Sequence, residues 1–159
     1  MIICGEDDAN DLSKMAWDIW TDYYSTVITG DDIGYILKTF QTEEAIKQQM
    51  RDGCLYSYII EDGNKAGYFA ILPEGDSLFI SKFYVSKEYR GRGLGSRTLR
   101  EILEKGRSLN MKKAYLHVNK HNLASIEIYK HKGFVITGGD KIDIGNGYFM
   151  DDYVMEYYF

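Results

Sequence analysis

Residues 90–96 read Arg90-Gly91-Arg92-Gly93-Leu94-Gly95-Ser96, three glycines and two arginines in seven positions, with Arg97 directly after. Glycine lets backbone N–H groups come close to a ligand, and guanidinium groups add full positive charge. The run before it, residues 78–85, is apolar and aromatic and reads as a strand. After it, Leu94, Leu99, Ile102 and Leu103 recur on one side of a helical pattern, with Arg100, Glu101, Glu104 and Lys105 largely on the other. A glycine-rich link from a strand into a helix start offers unpaired N–H groups and a positive dipole end, the chemistry of a phosphate or pyrophosphate site. A plain strand-to-helix turn without a ligand is the alternative.

Two familiar phosphate loops do not fit. A Walker loop ends in Gly-Lys-Ser/Thr, and here Gly95-Ser96-Arg97 stands in that place. A Gly-x-Gly-x-x-Gly dinucleotide fingerprint fails because Ser96 lies three residues after Gly93. The spacing present is Arg-x-x-Gly-x-Gly, from Arg90 to Gly95.

The elements that must position this loop follow from periodicity. A short first strand at residues 2–4 leads to an amphipathic helix carrying Leu12, Ala16, Ile19, Tyr23 and Val27, ending near Gly30. Asp31 or Asp32 caps a shorter helix with Ile33, Ile36, Leu37 and Phe40 on one face, and Thr42 caps a third over 43–51. Residues 55–60 and 66–72 are strands around an Asp62-Gly63 hairpin turn, and residues 73–76 turn the chain into the strand feeding the loop. A strand at 113–118, a helix opening at Asn122 and closing at Gly133, and strands at 134–137 and 153–159 complete the chain. The expectation is an α/β fold, one domain over 1–159, with a mixed central sheet of six to seven strands flanked by about five helices.

A second segment, residues 118–134, carries Asn122, Ser125, Tyr129 and Gly133-Phe134 at fixed steps. Together with Phe83-Tyr84-Val85 and the Arg-x-x-Gly-x-Gly loop, it resembles the cofactor segments of the GCN5-related N-acetyltransferase (GNAT) superfamily. Ser125 replaces a more usual alanine. The two segments cover roughly residues 78–134, and the superfamily's element order accounts for the whole chain; the similarity to bacterial small-amine and polyamine acetyltransferases is looser.

The resemblance implies acetyl-CoA as cosubstrate and no metal. It implies that the pantetheine arm pairs with backbone at Phe83, Tyr84 and Val85. The pyrophosphate then lies on Arg90, Gly91, Arg92, Gly93, Leu94, Gly95 and Ser96, with Asn122 and Lys132 as further contacts. For Asn122 the other option is a simple helix N-cap. In this superfamily the amine attacks the thioester directly, so Cys4 and Cys54 need no nucleophilic role. Val85 N–H is a candidate oxyanion donor, and Tyr129 is placed by its motif to protonate the leaving thiolate; a tyrosine packed on the sheet is the alternative in a chain with 14 tyrosines. The superfamily's usual strand glutamate is missing from residues 78–85, which leaves Glu74, Asp151, Asp152 or a water chain as the base.

Composition bounds the partners. Apolar residues make up 45%, too many for disorder, and Pro73 is the single proline. Residues 1–32 hold eight acids against Lys14, whereas residues 82–113 hold ten Lys or Arg against Glu88, Glu101 and Glu104. Such polarity suits a small cationic amine beside an anionic cofactor, or two solvated faces of opposite sign. Trp17, Trp20, Tyr23 and Tyr24, with residues 147–153, are either the acceptor's wall or core. A protein N-terminus, a lysine or an aminoglycoside is an alternative acceptor, and a non-catalytic acyl-CoA-sensing module the rival class. A net charge of −5 argues against nucleic acid, and no apolar run is long enough for a membrane span. The acidic start does not read as a secretory signal, and two cysteines give no disulfide framework, so the expected compartment is the cytoplasm. His117, His121 and His131 share no metal-ligand spacing with a cysteine cluster. A homodimer is compatible with the sequence.

Overall fold

The computed structural model describes residues 1–23 and 30–159, with the backbone alone at 23 and 30–33. Its elements, in order, are β1 (Ile2–Ile3), α1 (Ala9–Tyr23), α2 (Gly30–Phe40), α3 (Glu43–Arg51), β2 (Leu55–Glu61), β3 (Asn64–Glu74), β4 (Ser77–Val85), α4 (Leu94–Ser108), β5 (Lys113–Asn119), α5 (Leu123–His131), β6 (Val135–Gly145) and β7 (Tyr148–Tyr158). The strands form one mixed sheet in the order β1-β2-β3-β4-β5-β7-β6. The expected α/β class is what the chain adopts, with seven strands and, among the described residues, five α-helices.

The chain forms two compact units. The first comprises Met1–Leu72 and Lys82–Gly95. In it α1 buries Ala9, Leu12, Ala16 and Ile19, a spacing of three to four that a 3.6-residue turn lines up on one side. Thr42 caps α3 as expected, its hydroxyl accepting from Ala45 N–H at 3.1 Å. β2 and β3 join through Asp62 and Gly63, both at positive φ (50° and 78°), which suits the twist of a two-residue hairpin. Tyr56, Tyr58 and Tyr68 are each at most 1% exposed, so the aromatic strands are core. Val27 and Tyr24, read as continuing the first helix, lie outside the described residues, as does the side chain of Tyr23 and the capping role of Asp31 or Asp32.

The second unit comprises Pro73–Ser81 and Ser96–Phe159. β4 and β5 pair in parallel from Ser77↔Lys113 to Ile80↔Leu116, while β5 pairs antiparallel with β7 over its whole length. α4 buries Leu99, Ile102 and Leu103.

Two expectations need correction. The end of the chain is not two short strands at 134–137 and 153–159. It is a long hairpin, Val135–Gly145 against Tyr148–Tyr158, turning at Asn146-Gly147. The Gly138-Gly139 pair sits inside β6, and the ladder absorbs it as a register shift between Ile136 and Gly138. Pro73 does not begin a turn either: it lies within β3, and the chain reverses at Gly75-Asp76.

Candidate active site

The loop after β4 forms as the glycine spacing demands. Gly91 and Gly93 both take left-handed backbone, φ 75° and 74°, and nothing lies within 4 Å of where a Cβ would stand on either. The backbone is thus uncovered in the direction a side chain would take. α4 begins at Leu94 with no acid in its first turn, so its orphan N–H groups and dipole end stay positive. Leu94 is buried and anchors the helix start, while Gly91, Arg92, Gly93 and Arg97 are exposed and Gly95 and Ser96 half-buried. The Arg92 guanidinium lies over the Tyr89 ring, 5.7 Å from its centre.

Arg90 does something else. Its Nε donates to the Val85 carbonyl at 2.9 Å and its Nη1 to the Asp22 carboxylate at 3.2 Å. Lys87 Nζ holds the other Asp22 oxygen at 2.8 Å. The Asp22 carboxyl is held below the usual carboxylate range, first by the Lys87 hydrogen bond. Arg90 therefore ties the end of β4 to α1 and fixes where the loop starts. Nothing in the sequence paired Asp22 with residues more than sixty positions on.

The backbone at Phe83, Tyr84 and Val85 is set by its neighbours. The Tyr84 ring packs edge-on to Trp20 (centroids 5.5 Å) and against Tyr68 (5.4 Å). Gly67 lies so close that a Cβ there would stand 2.2 Å from the Tyr84 carbonyl oxygen. Ser86 N–H donates to the Ala66 carbonyl at 2.9 Å, which closes the strand pair just past Val85. Gly95 approaches the Phe83 ring, with 3.9 Å from its would-be Cβ to Cζ. Gly67 was not singled out in the sequence; a glycine inside a strand run was the available signal. Lys82 is half-buried beside Cys54, and desolvation holds its ammonium below the usual lysine range.

In the second unit, Asn122 is 4% exposed and caps α5, its Oδ1 accepting from Ser125 N–H at 3.3 Å. The cap sets the start of the helix on which Tyr129 sits. Tyr129 is 9% exposed and packs against Phe134, centroids 5.7 Å apart. Lys132, half-buried, occupies the C-terminal cap of α5, its N–H donating to the Ile128 and Tyr129 carbonyls. Glu74 accepts the Tyr115 hydroxyl, which engages one of the four base candidates.

Of the aromatics read as acceptor wall or core on α1, two are described by their side chains, and they divide. Trp20 is core at 5% exposure against Tyr84, and Trp17, three residues earlier, is 47% exposed. A groove of about 560 Å³ runs along α1, lined among others by Asp18, Asp22 and Glu88, and by Lys14, Lys65 and Lys87. Glu6 pairs with Arg51 and Asp11 with Lys65, so with Asp22 three of the eight N-terminal acids meet cations from later in the chain. Among the described residues no group of three His, Cys, Asp or Glu is placed to hold a metal, and no helix is long and apolar enough to cross a membrane.

Residues 12–134 match the family model described as "Acetyltransferase (GNAT) family". Among curated proteins, the chain is 34% identical over 85 residues to spermidine N(1)-acetyltransferase of Escherichia coli (strain K12), covering 51% of this chain and 46% of that one. It is 26% identical over 86 residues to spermine/spermidine N(1)-acetyltransferase of Bacillus subtilis (strain 168), covering 48% and 57%. The chain thus spans about half the length of the curated relatives it matches. Among solved structures, PaiA N-acetyltransferase from Thermoplasma acidophilum in complex with coenzyme A superposes with a TM-score of 0.79 at 16% identity, covering 100% of both chains. A spermidine N-acetyltransferase SpeG chimera from Vibrio cholerae and hSSAT gives 0.70 at 18%, covering 99% and 94%. At these identities the structures show a shared fold.

Proposed function

The chain belongs to the acetyltransferase (GNAT) family, and we propose that it transfers the acetyl group of acetyl-CoA to a small cationic amine. The observation that carries this is the bare left-handed backbone at Gly91 and Gly93 running straight into the acid-free start of α4. That cradle fits a pyrophosphate: N–H groups without side-chain cover, a helix dipole, and Arg92 and Arg97 exposed beside it. Phe83, Tyr84 and Val85 are the backbone for the pantetheine arm. Lys132 is a further phosphate contact, while Asn122 acts by fixing α5.

Attack is direct. Cys54 is buried and its thiol is pushed up by that burial; the Cys4 thiol, half-buried beside Asp8, is raised to about 11. Neither supplies a thiolate at neutral pH, so an acyl-enzyme on cysteine is disfavoured. Tyr129, with its ring held by Phe134, is the proton donor to the leaving thiolate. The amine class is supported by the polyamine acetyltransferases among the matched relatives. Free thiols at Cys4 and Cys54 fit a reducing compartment, the cytoplasm, and we take residues 1–159 as one acetyltransferase domain.

The test is calorimetric titration of acetyl-CoA, followed by thiol release with a panel of mono-, di- and polyamines. Binding with turnover supports the proposal. Binding without turnover on any amine leaves an acyl-CoA-binding module, and no binding removes the cofactor site.

A further inference from the structure

Asp151 and Asp152 are neighbours on β7 in opposite surroundings. Asp151 is half-exposed and pairs with Lys120 Nζ at 2.7 Å; that hydrogen bond, ahead of other causes, holds its carboxyl below the usual range. Asp152 points to the other face of the strand, as successive strand residues must. It is 5% exposed, and its Oδ1 has no hydrogen-bond partner among the described residues. Burial, the largest cause, pushes its carboxyl above the usual aspartate range.

Register fixes what it faces. Asp152 stands opposite Asn119 on β5 and opposite Asp140 on β6. His117 and Tyr115 follow on the same face of β5, two and four residues from Asn119. Among charged groups, His117 and Lys120 draw the Asp152 pKa down, and Asp151 pushes it up. A carboxylate oxygen shut from water without a partner is costly, and loss of stability is the expected consequence. Two adjacent carboxyls driven apart by their environments are the pattern by which ion pairing and proton transfer are divided between residues.

We infer that Asp152 is the proton acceptor for the amine, a role that rests on the acetyltransferase proposal above. One proton of the ammonium passes to the Asp152 carboxylate, directly or through one water. The freed lone pair forms the C–N bond at the thioester carbonyl, and the C–S bond breaks as the tetrahedral intermediate collapses. The second N–H proton leaves with the thiolate by way of Tyr129. Products are the amide, the free thiol and one proton, which Asp152 returns to solvent. This assignment also answers the missing strand glutamate.

The experiment begins with thiol release by the unaltered protein on the amine panel, across pH 4–9. Absence of turnover there removes the acetyltransferase proposal and, with it, this role. With turnover established, Asp152→Asn should lower kcat about 10²-fold or more, leave calorimetric acetyl-CoA affinity within about two-fold, and abolish the acid limb of kcat/KM. Asp152→Glu should recover part of the rate with a shifted limb, and His117→Gln should keep the limb. The stability readout carries an opposite sign. A raised carboxyl pKa favours the fold below the ordinary aspartate value and loses that contribution as pH rises through the folded value. Asp152→Asn should therefore melt higher at pH 7 while losing activity, whereas a structural aspartate would melt lower and keep kcat. Normal kcat in a folded Asp152→Asn overturns the inference. Should that variant not fold, an acid limb that is absent from the unaltered protein, or unmoved in Asp152→Glu, overturns it equally.

Discussion

The loop at residues 90–96 and the hairpin of β6 and β7 differ in how they are built. The loop's chemistry starts from backbone, left-handed glycines and a helix start, with the exposed Arg92 and Arg97 adding charge. The hairpin's chemistry comes from side chains whose surroundings decide their state, with Asp151 ion-paired and Asp152 buried one residue apart. A binding feature made of backbone can be read from residue types and spacing. One made of side-chain environment is set by register across three strands.

The largest effects should break the loop. Gly93→Asp puts a carboxylate on the bare face at φ 74°, and acetyl-CoA affinity should fall at least ~10²-fold while the domain stays folded, since strain at one left-handed residue is about 1–2 kcal/mol. Calorimetry and a thermal melt on the same sample check both halves. Gly67→Ala should come next. The added methyl cannot remain 2.2 Å from the Tyr84 carbonyl oxygen, so β4 must shift. We expect kcat/KM to drop about ten-fold and stability to fall by ~1–3 kcal/mol, as for overpacking, measured well below the melting temperature and by urea titration.

Smaller effects sharpen the contrast on the side-chain side. Tyr129→Phe keeps the ring on Phe134, so acetyl-CoA affinity should change little while kcat falls roughly ten-fold or more, a floor set below the usual ~10²–10⁴-fold of general acids because a thiolate leaves readily. Normal kcat would return the tyrosine to packing alone. Asp22→Asn should loosen Lys87 and Arg90 and weaken acetyl-CoA a few-fold. Because the Asp22 carboxyl lies below its ordinary value, its stabilising contribution is present above that value and lost as pH falls through the folded one. The melting difference between Asp22→Asn and the unaltered protein should therefore be constant from pH 7 to 5, begin to shrink below about pH 4, and vanish only below the lowered folded value.

How much of this was legible in the sequence follows the same division. Thr42 as the α3 cap and Asp62-Gly63 as a hairpin turn are local rules, and both hold in the structure. The strand expected at 134–137 stops short of Gly138-Gly139, two residues that weaken a strand; a ladder with β7 and a register shift carries them on instead. Arg90 looked like phosphate charge because its neighbours are glycines, yet its guanidinium is taken by Val85 and Asp22. The acidic stretch at residues 1–32 suggested a cation site, but Arg51, Lys65 and Lys87 meet three of its eight acids from later in the chain. Pairings of that range depend on tertiary packing, which spacing does not encode.

The central claim is acetyl transfer to a small cationic amine, and one measurement tests it most directly: thiol release from acetyl-CoA by the full chain, with spermidine and simple diamines set beside hydroxyl and anionic acceptors. The expected result is saturable turnover confined to the amines, abolished in Gly93→Asp. Tight acetyl-CoA binding with no turnover on any amine, or turnover only with hydroxyl or anionic acceptors, would contradict it.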